Sequence, residues 1–176
     1  MADRETELML RVKAGDRDAF EELFRLYEKP LTNYLFRLCG NRARSEDLLQ
    51  DTFLRLWKAA PTYEPSAKVS TYIFRIAHNL FLNDAARRRE KALESLEAET
   101  RSDPASDLNR REVQSQVQRA VEALPDGERE VLLLPEYNGF KYAEISEILG
   151  IPVGTVKSRM FSAVQRLKEA LKNLKH

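Results

Sequence analysis

The chain has 176 residues, with 29 basic side chains against 28 acidic ones, 43% hydrophobic residues, six glycines and seven prolines. This composition suits one or two small globular domains with real cores and excludes collagen-like or low-complexity material. The single cysteine, Cys39, excludes a disulfide framework, and the two distant histidines, His78 and His176, leave no credible zinc site.

No apolar run approaches the length of about 18 residues that would cross a bilayer, and Met1 to Asp18 is charged throughout, without the apolar segment of a signal peptide. No direct membrane insertion is therefore expected, and the protein is expected to stay in the reducing cytoplasm. Charge is spread unevenly: +2 over residues 1–90, −3 over 91–107 and +2 over 108–176. Residues 153–176 alone carry six basic side chains against one acid, Glu169, which suits a polyanionic partner as well as a solvated helix end.

In chain order, apolar residues recur at helical spacing and no alternating β-branched stretch appears, so the predicted fold is all-α. The first stripe, Phe20, Leu23, Phe24, Tyr27, Leu31, Leu35 and Leu38, is interrupted by Pro30, which should break or kink the helix before Gly40 and Asn41 end it. A second helix is expected from Ser45 as N-cap, through Leu48, Leu49, Phe53, Leu56 and Trp57. Pro61 and Pro65 bound a loop; a third helix, capped by Ser70, turns Ile73, Ile76, Ala77 and Leu80 inward and ends in Arg87, Arg88 and Arg89. From Lys91 to Asp107 the sequence becomes acidic and serine-bearing, as in a flexible linker. Two small helical domains follow, 1–90 and 108–176, joined by 91–107.

The second domain starts with Val113, Val117, Ala120, Val121 and Leu124, stops at Pro125, and resumes with Val131, Leu132 and Leu134 until Gly139. A short helix, Tyr142 to Leu149, a turn at Gly150, Ile151 and Pro152, and a long basic helix from Val153 to about Leu174 form a helix-turn-helix pattern. At 100° per residue, Val156, Met160, Ala163, Leu167, Leu171 and Leu174 fall within about 80° of arc and should be buried. Gly154, Lys157, Ser158, Phe161, Ser162 and Gln165 lie opposite. A cation, hydroxyls and one aromatic on that face can contact base edges, phosphates and a thymine methyl, unless Phe161 packs on another helix.

The segment GFKYAEISEILGIPVGTVKSRMFSAVQRLKEAL closely resembles the C-terminal domain of bacterial RNA polymerase sigma factors of the extracytoplasmic-function (ECF) class. SEDLLQDTFLRLWKA and KVSTYIFRIAHNLFLNDAARRR resemble the polymerase-binding and promoter-melting helices of the same family, in the expected order. The resemblance implies a dissociable specificity subunit that binds core RNA polymerase, recognises minus-35 and minus-10 promoter DNA and helps open the duplex. It also implies an anti-sigma factor as a further partner. No enzyme activity or cofactor is expected, since no paired catalytic constellation, P-loop or metal-ligand cluster is visible.

Carried over position by position, the resemblance places core-polymerase contacts at Asp47, Gln50, Asp51 and Leu54, whose spacings also put them on one helix face. It places capture of a flipped non-template base at Tyr63 and Asn79, a stacking ring and an edge-reading amide. Lys68, Arg75 and His78 are candidates for backbone or base contact, and Arg87, Arg88 and Arg89 for duplex phosphates. The matching minus-35 readers are Lys157, Ser158, Phe161 and Ser162. The acidic linker resembles the segment that threads through polymerase toward the active-site cleft and RNA exit path.

Three departures from the family pattern stand out: Ser162 where arginine is frequent, Lys141 in place of a serine cap, and Pro135, which should shorten its helix. The alternative reading is a helix-turn-helix regulator whose N-terminal helical domain senses a signal or dimerises. That protein would bind an operator without polymerase.

Overall fold

Helical periodicity is realised throughout the structure, a computed structural model that describes residues 3–95 and 110–172. Among these residues there is no strand. The chain divides into two units, the first built on α1 (Arg4–Lys13), α2 (Arg17–Cys39), α3 (Arg42–Ala59) and α4 (Val69–Ser95). The second is built on α5 (Arg110–Glu122), α6 (Asp126–Leu133), α8 (Val153–Ala170) and the start of α7 (Tyr142–Leu149). The 3₁₀ turns Ala60–Thr62 and Leu134–Glu136 each carry a proline near their start.

Side-chain acceptors start the first three helices. Asp3 accepts from the Thr6 amide at 2.8 Å, Asp16 from Asp18 at 3.0 Å and Ala19 at 3.2 Å, and Asn41 from Arg44 at 3.0 Å. Each bond satisfies an amide that has no partner inside its own helix. The cap of α3 is thus Asn41 and not Ser45, which is buried in the first turn and donates to the Arg42 carbonyl at 2.7 Å. Ser70, expected to cap α4, is instead its second residue.

Pro30 does not break α2, which continues through it to Cys39. Losing one hydrogen bond and accommodating the ring costs about 3 kcal/mol. Leu23 and Tyr27 before the proline, and Leu31, Tyr34 and Leu35 after it, are all buried, and each contributes roughly 1.5–3 kcal/mol when fully buried. Packing therefore outweighs the break. Helix α2 packs on α3 and α4, whose Leu56, Ile73 and Phe74 are buried with those residues in the first core, and the Tyr34 and Phe74 rings lie 5.3 Å apart.

Helix α1 was not anticipated. Its Leu8, Met9 and Val12 are buried against α2, and the Tyr27 hydroxyl donates to Glu5 at 2.6 Å. Helix α4 is longer than expected: Arg87–Arg89 do not end it, and it runs to Ser95, so residues 91–95 of the expected linker are helical. Linker residues 96–107 and the stripe residue Leu174 lie outside the described residues.

In the second unit Val121, Leu124, Val131, Leu133, Ile145, Val156 and Ala163 are buried, while Val117 of the expected stripe faces solvent and Leu132 is only half-buried. Pro135 ends α6 early, at Leu133, and sits in the following 3₁₀ turn.

Candidate nucleic-acid interface

The helix-turn-helix is held by the turn itself. Gly150 adopts φ +65°, a left-handed conformation that a side chain disfavours, and closes α7 by donating to Ser146. The Ser146 hydroxyl donates onward to the Ile151 carbonyl at 2.5 Å, and Pro152 enters α8 in extended conformation. Lys141 supplies no acceptor at the start of α7; the Glu144 carboxylate compensates, accepting from the Lys141 amide at 2.8 Å. The loss of a serine cap is thus only half a loss.

Two contacts seat α8 against α6. Arg166 pairs with Glu128 at 3.0 Å, and the Arg159 guanidinium lies so close over Gly127 that a Cβ there would sit 2.9 Å from Nη1. Arg129, 5% exposed, donates to the Glu122 carbonyl at 3.1 Å and to Asp126 at 2.7 Å, tying the end of α5 to the start of α6. Burial pushes the neighbouring Glu130 carboxyl up to about 7, with Asp126 adding to the rise and Arg129 and Arg159 opposing it.

With Val156 and Ala163 turned fully inward, the opposite face of α8 is presented to solvent. Lys157 and Ser158 are exposed, Ser162 is half-buried, and Phe161 is 67% exposed, outside the core that Val156 and Ala163 enter. The Ser158 hydroxyl donates to the Thr155 carbonyl at 3.1 Å, which leaves its lone pairs free to accept. One face thus combines a cation, an acceptor and an apolar ring.

In the first unit, Asp47, Gln50, Asp51 and Leu54 share the outer face of α3, with Leu54 58% exposed, while Leu48, Leu49, Phe53 and Leu56 are buried behind them. Trp57, expected inward, is half-buried and meets the edge of Phe20 at 5.1 Å. Asp47 and Asp51 border a groove between α3 and α4 that also exposes Asn83, Arg87 and Arg88.

On α4, Asn79 is exposed and Arg75 lies with its guanidinium 5.8 Å from the Tyr72 ring centre. Lys68 is exposed before the helix. His78 does not belong with them. It is 1% exposed, its Nδ1 lies 3.2 Å from the Tyr34 hydroxyl, and burial pushes its pKa down to about 4, so the ring is neutral at pH 7 and cannot meet a phosphate. Helical spacing explains the error: His78 follows Phe74 by four residues and shares its inward face.

Tyr63 also differs from expectation. Its ring is buried and packed against Tyr72 at 5.2 Å, so no open stacking platform stands there. Among Arg87, Arg88 and Arg89, all beyond the buried part of α4, Arg88 bonds Asp84 at 3.1 Å and Arg87 lies 4.0 Å from it. Asp84 also receives Arg44 of α3 at 2.5 Å, with both side chains largely buried. Burial alone would raise the Asp84 carboxyl; the Arg44 hydrogen bond and the charges of Arg44 and Arg88 outweigh it and hold the carboxyl below the usual range. Nothing local in the sequence marks this pair, whose members stand 40 residues apart.

Among the described residues, no group of three His, Cys, Asp or Glu side chains is placed to hold a metal ion, and no helix is long and apolar enough to cross a membrane.

Comparison with known proteins gives the same division. Residues 23–91 match Sigma-70 region 2 and residues 114–167 match Sigma-70, region 4. The ECF RNA polymerase sigma factor SigW of Bacillus subtilis is 30% identical over 93% of this chain and 95% of its own. The ECF RNA polymerase sigma factor SigE of Mycolicibacterium smegmatis is 32% identical over 89% of this chain and 64% of its own. A solved structure of the sigma factor RpoE from Bartonella quintana, in complex with the anti-sigma factor NepR, matches with a TM-score of 0.75 and 27% identity over 87% of this chain and 96% of that one.

Proposed function

Because the chain belongs to the Sigma-70 family, and within it to the extracytoplasmic-function class of RNA polymerase sigma factors, we propose that its two units divide promoter recognition between the residues described above. The single observation that carries the assignment of the reading face is Phe161. A phenylalanine two-thirds in water, beside exposed Lys157, lies outside the core of the described residues and matches what a major-groove face needs. Lys157, Ser158 and Ser162 supply the polar contacts around it. Serine at 162 in place of a longer cation removes one possible phosphate or base contact and shifts the preferred minus-35 sequence.

The outer face of α3, with Asp47, Gln50, Asp51 and Leu54, docks on core polymerase. Leu54, 58% exposed beside Asp51 and Gln50, supplies the apolar contact that such docking would bury. Asn79, Arg75 and Lys68 serve the minus-10 element and strand opening, with Arg87 and Arg89 on duplex phosphates and Arg88 shared with Asp84. Tyr63 offers its ring to an unstacked base only after turning away from Tyr72. The protein acts by binding, without covalent chemistry, in the cytoplasm where polymerase works. An anti-sigma factor is its regulator, by similarity to the Bartonella quintana complex.

Run-off transcription with purified core polymerase and fragmented genomic DNA, followed by mapping of start sites, tests this reading. Specific starts that depend on the added chain are the expected result. Tight binding to a DNA site without polymerase, and no stimulation of any start, would replace it with an ordinary helix-turn-helix regulator.

A further inference from the structure

The helix that the matched segment 23–91 leaves out, α1, reaches the loop before α4 with a charged side chain. The loop is short of internal support. Pro61 and Pro65 have no amide hydrogen; the Tyr63 amide donates to Ala60 at 3.0 Å, the Ser66 amide to Glu64 at 2.8 Å and the Thr62 hydroxyl to Ala59 at 2.9 Å. From outside it, the Lys13 ammonium at the end of α1 donates to the Tyr63 carbonyl at 2.7 Å and to the Glu64 carboxylate at 3.1 Å.

At the opposite end of α1, Asp3 feels the charge of Lys68 on the far side of the same loop, although the Thr6 amide and hydroxyl do most to keep its carboxyl low. The helix itself cannot drift: Leu8, Met9 and Val12 are buried, and Glu5 is fastened to Tyr27 of α2. A rigid helix thus carries a charged donor to a loop with few hydrogen bonds of its own, and a charge-assisted bond is about twice as strong as a neutral one.

We propose that Lys13 is a positioning residue for promoter opening, setting the conformation of loop 60–68 from which Tyr63 and Lys68 reach the melted strand. This rests on the reading of that loop as part of the melting element. Lys13 need not touch DNA; its effect passes through the Tyr63 carbonyl.

The test uses the full chain assembled with core polymerase, comparing duplex promoters with templates already melted over the minus-10 element. Lys13→Ala is expected to slow open-complex formation on duplex DNA roughly tenfold, the loss of one hydrogen bond to a charged group, and to change the pre-melted template less than about twofold. Lys13→Arg, which can still donate to the carbonyl, should recover most of the rate. In the free protein, hydrogen exchange at the Tyr63 and Ser66 amides should quicken in Lys13→Ala while the Leu56 amide in α3 stays protected. Should Lys13→Ala deplete the folded state, Lys13→Met keeps the stem packing without the ammonium and carries the same comparison.

Equal slowing on both templates, impaired assembly with core, or unchanged opening of duplex promoters overturns the proposal. Asn79→Ala, run alongside, separates the two levels. If it opens duplex promoters at the parent rate, the melting reading itself fails; if it is slow while the Lys13 variants are not, only the latch fails.

Discussion

Acid should destabilise the first unit through His78 before carboxylates matter. In the native protein the imidazole is buried and its pKa is pushed down to about 4, against 6.5 for an unperturbed histidine. Lowering the pH from 7 therefore protonates the unfolded chain first, and stability that is fully present above pH 6.5 drains away until the native pKa is reached. Linkage over those values gives a loss of about 2 kcal/mol between pH 7 and pH 5, and about 3 kcal/mol in total. Urea melts at the two pH values, followed by the fluorescence of Trp57, measure it, because this sole tryptophan lies in the first unit.

The choice of probe matters for that measurement. In the second unit the native Glu130 carboxyl is raised to about 7, so acid first stabilises that unit, and a signal averaged over both would hide the effect. His78→Asn removes the titrating ring while leaving a polar atom for the Tyr34 hydroxyl. Its midpoint should shift between pH 7 and pH 5 by roughly 1 M less urea than the parent's. Identical shifts in the two proteins would refute the argument that a neutral buried imidazole controls this window.

Three substitutions probe the proposed surfaces and the pair between them. Phe161→Ala should lower discrimination among minus-35 sequences by roughly 1–3 kcal/mol in competition binding by holoenzyme, with thermal stability changed by less than about 0.5 kcal/mol. Asp51→Arg should weaken capture of core polymerase in a pull-down while leaving circular dichroism unaltered, since its side chain lies at the surface. Asp84→Ala should destabilise the first unit by roughly 3 kcal/mol, measured by Trp57 fluorescence, because it strands a largely buried Arg44; adding Arg44→Met should recover most of that loss.

What could be read from the sequence followed from local physics. The three-residue turn at Gly150, Ile151 and Pro152, the stop of α6 before Pro135, and the inward stripe of α8 through Val156 and Ala163 were legible because each is set by neighbours within a turn or two. The exposed row on α3 was legible for the same reason. Failures came where distant packing decided. Pro30 sits in a helix because residues on both of its sides are pinned to α3 and α4, and His78 is buried because α2 brings Tyr34 to it from 44 residues away. Helix α1 was overlooked because its apolar residues, Leu8, Met9 and Val12, are few and lie among charges, yet they suffice once α2 provides a surface. Asn41 and Ser45 are residue types that both accept amide bonds, so the sequence does not choose the cap of α3; backbone geometry chooses Asn41.

The exposed ring of Phe161 has a consequence for divergence. A side chain that the core does not require can be exchanged with little risk to folding, so position 161 is free to vary while the scaffold of Val156 and Ala163 behind it stays put. On the role proposed for that surface, paralogues sharing this architecture could acquire new target sequences by single changes there, each tried without passing through an unfolded ancestor.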